Sequence, residues 1–277
     1  MNQLDISKQA QILACLCEGN SMRATCRLTN VAKKTVERLL VNAGTACAAF
    51  HDEKMRNLTC KVIQVDEVWS FTYSKQSNVP EHLKDRDDVG DTWTWIALDA
   101  DTKLIPSWRV GKRGATDAYW FIHDLAGRLA HRVQLTSDGH RPYLEAIESA
   151  FGTEIDYSML IKIYGREPLK VEARYSPPAC IGTRTRRIIG KPIRSLVSTS
   201  YIERQNLTLR MNNRRFTRLT NGYSKKLENH RHMCAIYFVW YNFVRVHHSL
   251  RCTPAMEAGI SDHIWTLEEI AGLLETI

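Results

Sequence analysis

The stretch VIQVDEVWSF, residues 62–71, decides the fold. Together with Lys61 its opening makes the run KVIQV, which ends at Asp66. Val and Ile are stiff at the first side-chain torsion and pack well on a pleated surface, so 61–65 is expected as a strand. A second stretch repeats the arrangement. QLTSDGHRPY, 134–143, reads as the end of a strand over 132–136 followed by Ser137-Asp138-Gly139. Two strands that each run out into an Asp are the frame around which the rest is read.

Working outward, TWTWIAL at 92–98 alternates as a strand does, and LIPSWRV at 104–110 reads as another. Pro106 places that one at an edge or a bulge. Residues 115–130 read as a helix with Tyr119, Ile122 and Leu125 inward, 141–151 as a second helix, and SMLIKI at 158–163 as a fifth strand. The order β-β-β-α-β-α-β, followed by a helix STSYIERQNLTLR that carries Glu203, predicts an α/β fold. It matches a ribonuclease-H-like mixed five-stranded sheet with flanking helices. Residues 74–91 read as a polar surface loop, and 164–197 as an insertion within a catalytic domain spanning 61–250.

Before that domain, 7–18, 21–29 and 32–42 read as three short helices, with Ser21 able to cap the second and Ile12, Leu13, Leu16, Val36, Leu39 and Leu40 inward. This is the pattern of a small all-α helix-turn-helix domain over 1–45, whose last helix would present Lys33, Lys34, Thr35 and Arg38 to double-stranded DNA. A plain three-helix packing unit is the competing reading. Residues 46–60 are expected as a linker helix and 251–277 as a C-terminal helical tail.

Charge supports the nucleic-acid reading. The 277-residue chain has a net charge of +8, yet 183–232 alone holds 13 Lys and Arg against two acids, Glu203 and Glu228. The remainder carries 25 basic and 28 acidic side chains, so the whole excess lies in one segment. A concentrated positive stripe is the footprint of a polyanion partner. Arg204, Arg210, Arg214, Arg215 and Arg218 are the candidates for phosphate, because the guanidinium fork binds it bidentately.

Other classes are disfavoured. No run approaches the length of a membrane span, and the start carries no secretory pattern, so the expected place is the bacterial cytoplasm, beside the nucleoid. Eight scattered cysteines without a CxxC pair do not form a disulfide framework or a zinc site. His230, His232 and Cys234 stand two apart on an expected helix and do not share a face. For Trp69, Trp93, Tyr143 and Tyr201, core packing is favoured over base stacking. His247 and His248, after the apolar helix 229–248, are better placed to reach DNA than to act as bases.

Phosphodiester transfer needs an activated oxygen and stabilisation of charge on the attacking and leaving oxygens. Two Mg²⁺ ions about 3.5–4 Å apart supply both, and hard cations select carboxylates. Asp66, Asp138 and Glu203 are the acids in position. Glu67 should point to the opposite face of its strand, and Glu172 is the alternative third acid.

The stretches IQVDEVWSF, GDTWTWIALDADTKLIPSW, RVQLTSDGHRPYLEAIE, STSYIERQNLTLRMNNRRFTRLTNGYSKKLENH and YNFVRVHHSLRCTPAMEAG together resemble bacterial DDE transposases, most of all those of the insertion-sequence-one family. The resemblance implies a core of the retroviral-integrase superfamily, Mg²⁺ or Mn²⁺ with two ions per site, and a homo-oligomer acting on inverted-repeat DNA ends. It implies metal-ligand roles for Asp66, Asp138 and Glu203, and contact with DNA near the cut for Arg210, seven positions after the Glu. Two readings compete: a DNA-binding regulator with an inactive nuclease-like core, and a ribonuclease-H-like nuclease that cuts without joining.

Overall fold

A computed structural model of the chain describes residues 4–165 and 179–276. It opens with α1 (Ile6–Cys17), α2 (Met22–Thr29) and α3 (Lys33–Lys54). Asp5 caps α1 by accepting from the Lys8 N–H at 2.6 Å, and Ser21 caps α2 by accepting from the Ala24 N–H at 3.1 Å. Each cap satisfies a first-turn donor that the helix cannot. Asn30 closes α2 in the left-handed conformation, φ 53°.

No break falls near residue 45. α3 continues for 22 residues and absorbs most of the segment expected as a separate linker helix. The reason is its buried stripe, which continues through Ala43, Ala46, Cys47 and Phe50 and packs on α7 (Leu227–Val239). The approach is close: a Cβ on Gly44 would lie 2.3 Å from His232 Cβ. At the other end, a Cβ on Gly19 (φ 74°) would meet the Met211 carbonyl at 2.6 Å. The N-terminal helices therefore share one hydrophobic core with the rest of the chain. Two short C-terminal helices, α8 (Pro254–Glu257) and α9 (Leu267–Gly272), follow, and α9 packs back on α1. No described helix is long and apolar enough to cross a membrane.

The sheet has six strands, in the order β3-β2-β1-β4-β5-β6. They are β1 (Val62–Thr72), β2 (Gly90–Asp99), β3 (Trp108–Gly111), β4 (Gln134–Ser137), β5 (Asp156–Tyr164) and β6 (Cys180–Ile189). β1, β2 and β3 pair antiparallel, β1–β4 and β4–β5 parallel, and β5–β6 antiparallel. Five strands were expected. The sixth comes from the segment read as an insertion, and its basic run escaped a period-two reading because it is exposed on nearly every residue.

Helices α4 (Ala115–Ala126) and α5 (Pro142–Phe151) cover one face, where Trp95 packs on Phe121 and Tyr143. The other face carries α6 (Ser200–Asn212) and α7. Two expectations fail locally. Tyr119 points outward, its ring tilted against that of His123 at 4.0 Å, while Ala118, Phe121, Ile122 and Leu125 face the core. The strand expected from 104 begins only at Trp108. Ile105 gives its N–H to Asn242 Oδ1 and its carbonyl to Asn242 Nδ2, both at 3.0 Å, and Pro106 has no N–H to offer a ladder.

Candidate metal and active site

β1 does not stop at Val65, as expected, but continues on β2 as far as Thr72. What stops is its pairing with β4, at Gln64 opposite Thr136. Asp66 therefore stands where the sheet opens on the β4 side, and Asp138 follows the last residue of β4. Their approach is a consequence of strand adjacency, since loops at the ends of neighbouring parallel strands share one crevice.

Asp66 Oδ1 accepts from the Glu67 N–H at 2.9 Å, and its Oδ2 accepts from Asn206 Nδ2 at 2.7 Å. Asp138 accepts from the His140 N–H at 2.8 Å, which folds the chain into the start of α5. Glu67 takes the face expected for it and still reaches the site. Alternation does send its backbone position to the α4/α5 face, where Arg113 reaches Oε1 at 2.6 Å and the Tyr143 hydroxyl donates to Oε2 at 3.0 Å. Its carboxylate nevertheless joins the others: ligand oxygens of Asp66, Glu67 and Asp138 all lie within 4.8 Å of one another. At the mouth of an opening sheet, the longer Glu67 side chain can reach round the edge toward the aspartates.

Three carboxylates so close repel, and the electrostatics record it. Asp66 is pushed up to about 7, first by burial and then by Glu67 and Asp138. Burial and Asp138 likewise raise Glu67, against the pull of Arg113. Burial drives the Tyr143 hydroxyl well above its ordinary range, which keeps it a donor to Glu67. A hard divalent cation fits this donor set, because carboxylate oxygens are its preferred ligands and its charge removes the repulsion.

Glu203 lies on the wall of the same cavity, a space of ≈ 780 Å³ also lined by Asp66, Asp138, Arg113, His140 and Lys162. Its carboxylate accepts from Lys162 Nζ at 2.5 Å and from the Thr199 hydroxyl at 2.6 Å, and stands outside the 4.8 Å cluster. The alternative acid, Glu172, lies outside the described residues.

The helix bearing Glu203 is held by a residue that sequence reading passed over. Gln64 is buried on β1, and its Oε1 accepts from the N–H groups of Tyr201 and Ile202, both at 3.0 Å. Thr199 at the helix start makes no side-chain cap, so a strand residue supplies it from across the interface. Gln64 and Asp66 point to one face of β1, and α6 answers with its first turn and with Asn206. Glu203 is thereby referenced to Asp66 through two polar contacts. A buried Gln in a strand of Val and Ile was the available signal.

The basic candidates fall in different places. Lys33, Lys34 and Arg38 are exposed on the first turns of α3, where Lys33 pairs with Glu37 at 3.0 Å; Thr35 is half-buried. Arg204 is exposed on α6 on the side of His247, away from the carboxylates. Arg210 is half-buried. Burial and Arg218 lower its guanidinium while Asp66 pulls the other way, so it feels both the exposed Arg218 and the acidic site. Arg214 and Arg215 do not line the catalytic cavity and face the N-terminal helices instead. Of the aromatic residues, Tyr143 is fully buried, and Tyr201 is 46% exposed with Lys103 Nζ 3.6 Å from its ring centre. Trp93 lies under Arg113, and Trp69 packs on Phe71. His230 is buried between the hydroxyls of Ser70 and Ser224.

No family model matches this chain, and no curated protein does. Among solved structures, the Mos1 strand transfer complex is similar at 12% identity and a TM-score of 0.24, over 57% of this chain and 59% of that one. The Mos1 transposase paired-end complex with left transposon end has the same identity and TM-score, over 57% and 60%. The matched part is thus about three fifths of the length of those chains. At that TM-score the likeness decides neither fold nor activity.

Proposed function

We propose that this chain is a DNA transposase of the DDE type, which binds the terminal inverted repeats of a mobile element, cleaves DNA strands and transfers the 3′-OH ends to target DNA. The observation that carries the reading is the meeting of the Asp66, Glu67 and Asp138 carboxylates where the sheet opens, with Glu203 on the wall of the same cavity. The element order, and the adjacency of the first and fourth strands, agree with the ribonuclease-H-like core expected from the sequence. No observation favours a silent regulator, for which a strained carboxylate cluster has no use.

Asp66, Asp138 and Glu203 are the proposed ligands of Mg²⁺ or Mn²⁺, two ions per site, and Glu67 is close enough to contribute. When bound, such ions activate the attacking oxygen and stabilise charge on the leaving one. The chain's own residues prepare that step. Asn206 and the Glu67 N–H orient the two oxygens of Asp66, and Arg113 and Tyr143 fix Glu67. Gln64 fixes the helix that carries Glu203. Arg113, Arg141 and Lys162 stand on the cavity wall as cations for the phosphodiester, and Arg210 lies beside it. Lys33, Lys34, Thr35 and Arg38 on α3 are the proposed readers of the element ends, with the protein acting as a homo-oligomer on DNA.

Strand cleavage and joining on DNA from the flanks of the gene, with Mg²⁺ or Mn²⁺, tests this. Joined products from the wild type and none from Asp138→Ala are expected. Cutting without joining would make the protein a nuclease, and specific binding without cutting a regulator. Glu203→Gln should abolish both steps; an active Glu203→Gln beside an inactive Glu67→Gln would move the third ligand to Glu67.

A further inference from the structure

A second cleft, of ≈ 670 Å³, lies between the N-terminal helices and the loop that follows α6. Arg23 and Lys33 approach from α2 and α3, and Arg214, Arg215 and Lys225 from the loop. Glu37 is the one acid on its described walls, and Lys33 already pairs with it at 3.0 Å. None of the catalytic carboxylates lines this cleft.

Arg215 is the anomaly. Its Nε is buried without a hydrogen-bond partner, and no described carboxylate pairs with its guanidinium. The groups behind it are uncharged. His230 is held down at about 3 by burial and by Arg215 itself, and burial pushes the Cys234 thiol up to about 12. Burial lowers Arg215 to about 10, still charged at neutral pH. Desolvating a guanidinium without a counter-ion is costly. The loop is nonetheless built to hold this conformation: Asn213 Oδ1 accepts from the Arg215 N–H at 3.2 Å, and a Cβ on Gly222 would meet the Arg214 carbonyl at 2.6 Å. Five cations lining the cleft from two parts of the chain, one of them a half-buried arginine with its Nε unpartnered, call for an anion that spans both parts.

Resting on the DNA-acting reading above, we propose that this cleft clamps a run of DNA phosphodiester backbone at the seam between the N-terminal helices and the sheet, without reading sequence. Arg214 and Arg215 thereby join Arg23 and Lys225 in a phosphate site separate from the catalytic cavity, and Lys33, tied to Glu37, borders it from the reading turn of α3. The clamp fixes the angle at which DNA leaves α3, while base contacts remain with the exposed face of that helix. Free phosphate has the same chemistry and is the other possible source of the anion.

The test is the salt dependence of duplex binding by the full chain. Log K falls with log salt by about 0.9 for each phosphate neutralised. Arg23 and Lys225 are exposed, so the double variant Arg23→Gln/Lys225→Gln removes charge without touching the core. Its slope should be shallower by about 2, with equal loss of affinity on element-end and random duplexes. Arg215→Gln should take away a further ~1, which a merely structural role for Arg215 would not do. An unchanged slope in both variants overturns the clamp, and so does a loss confined to element ends. Inorganic phosphate that stabilises the wild type but not the double variant, with duplex slopes unchanged, assigns the cleft to free phosphate instead. A wild type that binds no duplex at any salt concentration sinks the DNA-acting reading itself.

Discussion

Asp66→Asn should make the protein more stable in the absence of divalent ions, and the gain should disappear in acid. Asp66 is raised from 3.8 to about 7 by burial and by the carboxylates of Glu67 and Asp138. A carboxyl raised on folding binds its proton more tightly in the folded state. Stability therefore falls as pH climbs from the unfolded value to the folded one and is level above it. The full difference corresponds to about 4 kcal/mol above pH 7, with about 2 kcal/mol already lost at pH 5. Asparagine removes the charge and keeps the shape. The Glu67 N–H still finds an acceptor, and Asn206 can turn its Oδ1, which has no partner, toward the new amide. Urea unfolding of both proteins in EDTA reads the difference. The variant should gain about 4 kcal/mol at pH 8, about 2 at pH 5 and almost nothing below about pH 3. An equal gain at all pH values, or a loss at pH 8, would refute the argument that a desolvated, crowded carboxylate stands at 66.

The remaining expectations follow from the same geometry. Mn²⁺ should stabilise the wild type at pH 8 by about 2.7 kcal/mol at a hundred times its Kd, reversibly with EDTA, and should leave Asp138→Asn nearly unmoved; equal shifts in the two proteins would remove the cluster as the metal site. Gln64→Ala strips two N–H groups at the start of α6 of their acceptor and should cost about 1–2 kcal/mol in thermal unfolding together with most strand joining, whereas an unimpaired variant would show that the cap does not position Glu203. Gly44→Ala should destabilise by about 1–3 kcal/mol because its Cβ would lie 2.3 Å from His232 Cβ, although helix propensity alone predicts a gain of about 1; a more stable variant would mean that α3 and α7 are not in close contact.

Local periodicity and chemistry were enough for much of this. The alternation of TWTWIAL, the β-branched runs before Asp66 and Asp138, and the 3.6-residue stripes of the N-terminal helices mark the elements where they occur. Ser21 is a cap in the structure as in the sequence, because a cap depends on residues three apart. The two Asp residues were found for the same reason: each follows a strand signal a few residues long.

Tertiary structure decided what depends on approach between distant segments. A strand period says which face a side chain takes, yet not that the sheet opens beside Asp66 and lets Glu67 reach round to the same point. A charge count found one basic segment, and only folding divided it, turning Arg214 and Arg215 toward the N-terminal helices while Arg210 stayed near Asp66. Gln64 is an unremarked polar residue until the first turn of α6 lands on it, and Gly44 is a weak helix former until α7 closes on it. By itself the sequence determined most of the elements and singled out two Asp residues beside strand signals, since these follow from interactions within a few residues. Which acids meet, and which cations face them, was left to packing, because energies between groups far apart in sequence exist only once the chain has brought them together.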